Sequence, residues 1–254
     1  MTAIEITNVS FGYTKNTKVL DNINISIEAC SITAILGKNG CGKSTLLDCI
    51  IGYNQIKTGQ IMINGKNLKS LSEKQIAQEI AYIPQSTVSN MDFTVEEFIL
   101  FGRNCRLKFG ETLKKEDYDI VQANVKLLNI ENILTKNIDK ISGGERQLAY
   151  IARALTQESP IIIMDEPTAN LDFSNQAILY SIIKELQSKG KTILFTTHNP
   201  NHVVELNCDV VGMKDGSLIY KGKAKEILSI ESIKKLYGDN FKVKYDGNFF
   251  SIKP

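Results

Sequence analysis

Apolar residues recur along this chain with two different periods. Ile4-Glu5-Ile6-Thr7-Asn8-Val9 and Ile23-Asn24-Ile25-Ser26-Ile27 alternate in the two-residue rhythm of half-buried strands. Gln60-Ile61-Met62-Ile63 reads as another strand, stopped by the turn signal Asn64-Gly65. Ile32, Ala34, Ile35 and Leu36 form an apolar run of the buried-strand kind, as do Ile80-Ala81-Tyr82-Ile83, Ile161-Ile162-Ile163-Met164 and Thr192-Ile193-Leu194-Phe195-Thr196-Thr197. Leu46 to Ile51 reads as a helix ended by Gly52, and Ser72-Glu73-Lys74-Gln75 is a capping box opening a short one. From about residue 90 to 157 the texture turns helical. Thr94-Val95-Glu96-Glu97 is a second capping box, and Ile120, Val121, Val125, Leu127 and Leu128 give a helical apolar face. A later helix places Ile178, Leu179, Ile182, Ile183 and Leu186 on one side and closes at Gly190. Strands alternating with helices, broken by one helical block, predict an α/β core with a parallel sheet and an inserted helical subdomain. No repeat or low-complexity linker interrupts this pattern.

Composition narrows the partners. A chain of 254 residues with 23% charged and 43% hydrophobic content can bury a sizeable core. A net charge of +2 gives no electrostatic ground for a nucleic-acid partner. The five cysteines are odd in number and lack C-x-x-C spacing, which points to free thiols in a reducing compartment. Met1-Thr2-Ala3-Ile4-Glu5 has no signal-peptide character, and no run approaches the ~18 apolar residues of a membrane span. The expectation is a cytoplasmic protein whose membrane role, if it has one, comes through a partner. The lysines between Lys221 and Lys244 read as a solvated face.

The chemistry begins at Gly37-Lys38-Asn39-Gly40-Cys41-Gly42-Lys43-Ser44-Thr45, a G-x-x-x-x-G-K-[ST] phosphate-binding loop between a strand and a helix. Its glycines let backbone N–H groups wrap an anion that also meets the positive end of the helix. Lys43 is expected to neutralise the β- and γ-phosphates, and Ser44 to ligate Mg²⁺. Cys41 serves as a small loop residue whose thiol is a candidate for alkylation, with bound nucleotide as its shield. Asp165 and Glu166 follow a buried strand: Asp165 suits the Mg²⁺ shell, and Glu166 the polarisation of a water aimed at the γ-phosphate. A further helix start, Ile141-Ser142-Gly143-Gly144-Glu145, pairs a capping box with two glycines, which suits close approach of an anion to the backbone. Pro200 separates His198 from His202, so the pair does not read as one metal-binding helix face.

Ile141-Ser142-Gly143-Gly144-Glu145 closely resembles the Leu-Ser-Gly-Gly-Gln signature of the ATP-binding-cassette (ABC) ATPases. The family's other motifs occur in order: the phosphate loop, Gln85 as the Q-loop glutamine, Asp165-Glu166, the D-loop Ala169-Asn170-Leu171-Asp172, and His198 as the switch histidine. Tyr13 in Phe11-Gly12-Tyr13 is similar to the aromatic on which adenine stacks. The resemblance spans the chain, with Ile141 and Glu145 as mild departures. It implies a P-loop NTPase core with a mostly parallel sheet, an N-terminal antiparallel β subdomain and an inserted helical subdomain. On that reading residues 1–88 and 158–228 make the nucleotide-binding core, 89–157 the helical subdomain with the signature, and 229–254 a C-terminal extension.

The implied activity is ATP hydrolysis with Mg²⁺. Glu166 is the catalytic base, His198 and Gln85 act at the γ-phosphate, and Ser44, Gln85 and Asp165 serve the metal. Tyr13, Gly37, Asn39, Gly40, Cys41, Gly42, Lys43, Ser44, Thr45, Ser142, Gly143, Gly144 and Asp172 are the implied ATP contacts. With one phosphate loop and one signature, the chain is expected to pair with a second copy, each closing over the other's ATP. The implied partners are integral membrane permease subunits and, indirectly, an extracytoplasmic substrate-binding protein; the implied location is the cytoplasmic face of the membrane. Asp92-Phe93-Thr94-Val95-Glu96-Glu97, Phe101-Gly102-Arg103 and Leu171 to Gln176 resemble importers of metal chelates. Ferric siderophores are the expected cargo, with cobalamin, haem, molybdate or a free metal ion as alternatives. A soluble cassette of the iron–sulfur assembly kind is the reading outside transport. No N-K-x-D guanine motif appears.

Overall fold

Ile4, Ile6 and Val9 of β1 (Thr2–Phe11) are all buried, although the step from Ile6 to Val9 breaks strict alternation. Asn8 supplies the extra residue as a bulge at φ 51°, and its N–H donates to Asn24 Oδ1 at 2.9 Å. A computed structural model describes residues 1–14, 17–85, 92–169, 171–239 and 242–253. The chain divides into two compact units, Met1–Leu71 with Tyr180–Pro254, and Ser72–Leu179.

In the first unit β1 pairs antiparallel with β2 (Leu20–Glu28) and β4 (Thr58–Ile63), and β5 (Lys66–Asn67) closes a hairpin at Asn64-Gly65. A second set of strands contains β3 (Ile32–Leu36), β8 (Thr192–Thr197), β9 (Asp209–Lys214) and β10 (Ser217–Lys223). β3 lies between β8 and β9, parallel to both, and β10 returns antiparallel to β9. Ala34, Ile35, Leu36, Ile193, Leu194, Val210 and Val211 are all buried, as strands covered on both faces require. Helices α1 (Lys43–Ile50), α7 (Pro200–Leu206), α8 (Ala224–Ile227) and α9 (Ile230–Tyr237) join them. The chain ends in the hairpin β11 (Lys242–Tyr245) and β12 (Phe250–Lys253). The lysine-rich tail is a solvated face only in part. Lys223 pairs with Asp209 at 2.8 Å and Lys221 Nζ donates to Ser26 O at 2.6 Å, so two of its cations tie strands together.

The second unit holds α2 (Glu73–Glu79), β6 (Ile80–Ile83), α3 (Val95–Leu100), α4 (Lys115–Leu127), α5 (Gly143–Thr156) and β7 (Ile161–Met164). β6 and β7 run parallel. The three capping boxes at Ser72, Thr94 and Ser142 form as their sequences predict. Helix α6 (Phe173–Ser188) buries Leu179, Ile182, Ile183 and Leu186, but Ile178 is 38% exposed. The apolar stripe is one residue narrower than its sequence suggests.

One polar cluster in this unit had no sequence signal. Arg103 and Asp117, 8% and 7% exposed, meet with Nε donating to Oδ1 at 2.7 Å. Arg103 Nη1 also donates to Thr156 O at 2.9 Å and to Glu158 Oε2 at 2.6 Å. The Lys114 backbone N–H and then the Arg103 guanidinium hold the Asp117 carboxyl below its usual range, against the opposing effect of desolvation. Asp117→Asn removes one charged partner and leaves the guanidinium with Glu158 and Thr156 O, so it is expected to cost about 2 kcal/mol. Because the folded carboxyl titrates lower than the unfolded one, its contribution is complete above the ordinary Asp value of about 3.9 and disappears as pH falls through the folded value. Thermal unfolding followed from pH 7 to pH 3 should therefore show the gap between wild type and variant closing at the acid end.

Candidate functional site

One group of candidate residues is built where β3 ends. Leu36 is in register with Thr197, and the Gly37 N–H donates to Thr197 O at 3.2 Å, so the phosphate loop and His198 leave neighbouring parallel strands at the same edge. A side chain at Gly37 would meet Met213 O at 2.4 Å and Cys41 Sγ at 2.7 Å, which forces glycine there. Gly42 caps α1 at φ 104°, a left-handed conformation that glycine adopts without strain. No side chain caps that helix and no acidic residue occupies its first turn, so its N–H groups are open to an anion. Lys43 is buried and bent back over the loop, its Nζ donating to Gly37 O at 2.9 Å and Lys38 O at 3.0 Å. Asn39, Gly40 and Ser44 line the exposed side of the loop.

Tyr13 stands beside the loop's last residue, its hydroxyl 3.2 Å from Thr45 Oγ1. Its ring packs edge-on against Phe11, 5.1 Å between centroids, and remains 62% exposed, which leaves a face available for stacking. Cys41 is buried, and burial raises its thiol pKa more than nearby Lys43 lowers it. The thiolate needed for alkylation is therefore scarce at neutral pH, which favours the reading of Cys41 as a small loop residue.

A separate group of candidate residues lies in the other unit. β6 and β7 pair Ile83 with Met164, and the Asp165 N–H donates to Ile83 O at 2.9 Å. Gln85 and the Asp165-Glu166 pair therefore leave two adjacent strands at one edge. The segment after Gln85, residues 86–91, is outside the described residues, as is Asn170 of the D-loop. Asp165 and Glu166 are buried, 3% and 8% exposed. Glu166 takes φ 45°, a strained conformation for a non-glycine residue, and the chain turns back at once through an Ala169 N–H to Glu166 O bond of 3.1 Å.

The signature is the N-terminus of α5. Ser142 Oγ accepts from the Glu145 N–H at 3.3 Å, and the Glu145 carboxylate accepts from the Ser142 N–H at 2.9 Å. That backbone N–H holds the Glu145 carboxyl below the ordinary range, so it is ionised at neutral pH. Space above Gly143 is open to beyond 4 Å. Ser142, Gly144, Glu145 and Asp172 line one polar cleft of about 330 Å³. Residues about thirty positions apart in the chain thus come together, and Asn129 and Asn132, which sequence reading did not single out, line the same cleft. Asp172 also caps α6, its Oδ1 accepting from the Asn175 N–H at 2.8 Å.

His202 is more than incidental. Its Nδ1 lies 2.8 Å from Thr197 Oγ1 and its Nε2 3.2 Å from Asn199 Nδ2, on either side of His198. The signal for it was local: His202 is the third residue of a helix capped by Asn199 with proline at its first position, where a side chain reaches back to the cap.

A glycine loop between strand and helix, with an exposed aromatic alongside and an acidic strand end elsewhere in the chain, defines a P-loop nucleotide hydrolase. The family follows from comparison: residues 20–169 match the ABC transporter family, and the chain belongs to it. It is 31% identical over 250 residues to a probable siderophore transport system ATP-binding protein of Bacillus subtilis, covering 98% of this chain and 90% of the relative. It is 32% identical over 236 residues to a molybdate import ATP-binding protein of Haemophilus influenzae, covering 92% and 88%. Its fold superposes with a TM-score of 0.83 on an inward-facing metal-chelate type ABC transporter, at 30% identity over 100% of this chain and 97% of that one. The protein is an ATPase with the mixed α/β cassette fold. Among the described residues no helix is long and apolar enough to cross a membrane.

Proposed function

We propose that this chain is the ATP-hydrolysing subunit of an importer that takes up a metal chelate, a ferric siderophore in the first place, through separate membrane permease subunits. The observation that carries the proposal is full-length similarity to importer ATPases in a chain with one phosphate loop and one signature. A cassette with one copy of each needs a second copy. The signature cleft of each would close over the triphosphate on the other's loop, with an extracytoplasmic binding protein delivering cargo on the far side of the membrane. The subunit would sit at the cytoplasmic face, held there by the permease.

Lys43 and the loop amides would hold the phosphates, Tyr13 the adenine, and Ser142 with the amides of Gly143 and Gly144 the partner's γ-phosphate. Ser44, Gln85 and Asp165 offer a hydroxyl, an amide oxygen and a carboxylate. This all-oxygen set suits Mg²⁺, which would neutralise phosphate charge. Glu166 would accept the proton of the attacking water, and His198 would contact the γ-phosphate. Residues 89–157 are assigned to the helical subdomain and 229–254 to the C-terminal extension.

Co-purification from membranes tests the proposal, followed by uptake of radiolabelled ferric chelate, molybdate and cobalamin by the reconstituted complex. Uptake of ferric chelate that depends on ATP is the expected result. A preference for molybdate or cobalamin would reassign the cargo, and recovery with soluble assembly proteins in place of a polytopic partner would remove the transport reading.

A further inference from the structure

The chain leaves β8 at Thr197, the last residue paired with β3, so the sheet ladder does not set the conformation of His198. Side chains from two directions set the loop that follows. From within the loop, Thr197 Oγ1 accepts from the Asn199 N–H at 3.0 Å, and His202 braces Thr197 and Asn199. The other restraints come from the last part of the chain. The Tyr237 hydroxyl, at the end of α9, donates to the backbone carbonyl of His198. Asn201 clamps β12 from both sides: the Phe250 N–H donates to its Oδ1 at 2.6 Å, and its Nδ2 donates to Phe250 O at 2.9 Å.

These tethers have a firm base. Ile233 and Leu236 of α9 are fully buried, and Lys214 Nζ donates to the Lys235 carbonyl at 3.1 Å near the helix end. Phe250 is 2% exposed and stacks on Tyr245 with centroids 4.2 Å apart. His198 itself is exposed. An exposed side chain on a loop beyond the sheet is held in place by its backbone anchors.

We propose that Tyr237 is a positioning residue for His198, through which the C-terminal segment holds the switch loop in its working geometry. The proposal rests on the reading of His198 as the γ-phosphate contact. Because the Tyr237 hydroxyl acts through the His198 backbone, a change in kcat without a change in KM for ATP is the mark of this role. The hydroxyl acts on the turnover step.

The test is steady-state ATP hydrolysis by the purified full chain carrying Tyr237→Phe, His198→Ala or both. Tyr237→Phe removes one hydrogen bond, so its kcat is expected to fall roughly three- to tenfold with KM for ATP unchanged. The double variant should be no slower than His198→Ala alone, because the hydroxyl acts only through the histidine. Wild-type kcat in Tyr237→Phe, a rise in KM equal to the loss of kcat, or a further additive loss in the double variant would each overturn the positioning role. Wild-type turnover in His198→Ala is a separate failure: it removes the histidine from catalysis and this proposal with it.

Discussion

Glu166→Gln is expected to slow ATP hydrolysis by about a hundredfold or more while ATP still binds, the loss that follows removal of a general base. The substitution keeps the size and burial of a side chain that is 8% exposed, and it leaves φ 45° and the turn to Ala169 unchanged. What it removes is the proton acceptor. Glu166 shares its left-handed φ with Glu158 and Asp215, but it combines that geometry with burial just beyond the end of β7. With the chemical step slowed and binding intact, ATP should hold two copies together for longer than a turnover. Size-exclusion chromatography with ATP and Mg²⁺ should show a dimer peak that wild type lacks, and a phosphate-release assay should show the rate loss. Wild-type turnover in this variant would take Glu166 out of the mechanism.

The second large effect is at Lys43. Replacing it with Ala should weaken ATP binding by roughly tenfold to a hundredfold, since hydrogen bonds to charged groups contribute about 1.5–3 kcal/mol. Two contributions add in the same direction. The ammonium no longer meets phosphate, and the loop loses the bonds from Nζ to Gly37 O and Lys38 O that hold its curve. Titration with a fluorescent ATP analogue measures the change. An unaltered Kd would mean that the nucleotide does not use this loop.

The longer strands up to Thr197 were legible because each is a short apolar run whose period its neighbours do not share; β9 to β12 were not singled out, although β9 buries Val210, Val211 and Met213. The capping boxes were legible because cap and third residue are covalently close. Ser72-Gln75, Thr94-Glu97 and Ser142-Glu145 all formed. Where the reading needed adjustment, packing was the cause. Ile178 belongs to an apolar face by period but lies at the stripe's edge, and the bulge at Asn8 shifts β1 so that Val9 faces inward. Cys41 shows the same limit in chemical form. Sequence left its reactivity open; in the fold, burial outweighs the charge of Lys43 and raises the thiol pKa.

Sequence alone determined the chemistry that local order can carry: a phosphate loop with its glycines, a capped signature helix, an acid pair on a strand end, and the order in which they occur. Tertiary structure decided which distant side chains hold those pieces. Arg103 finds Asp117 fourteen residues away and Glu158 fifty-five away; Asn201 grips Phe250 across forty-nine. Tyr237 reaches His198 across thirty-nine. A hydrogen bond between such pairs leaves no period, spacing or propensity in the chain, because its partners become neighbours only when the core between them has packed.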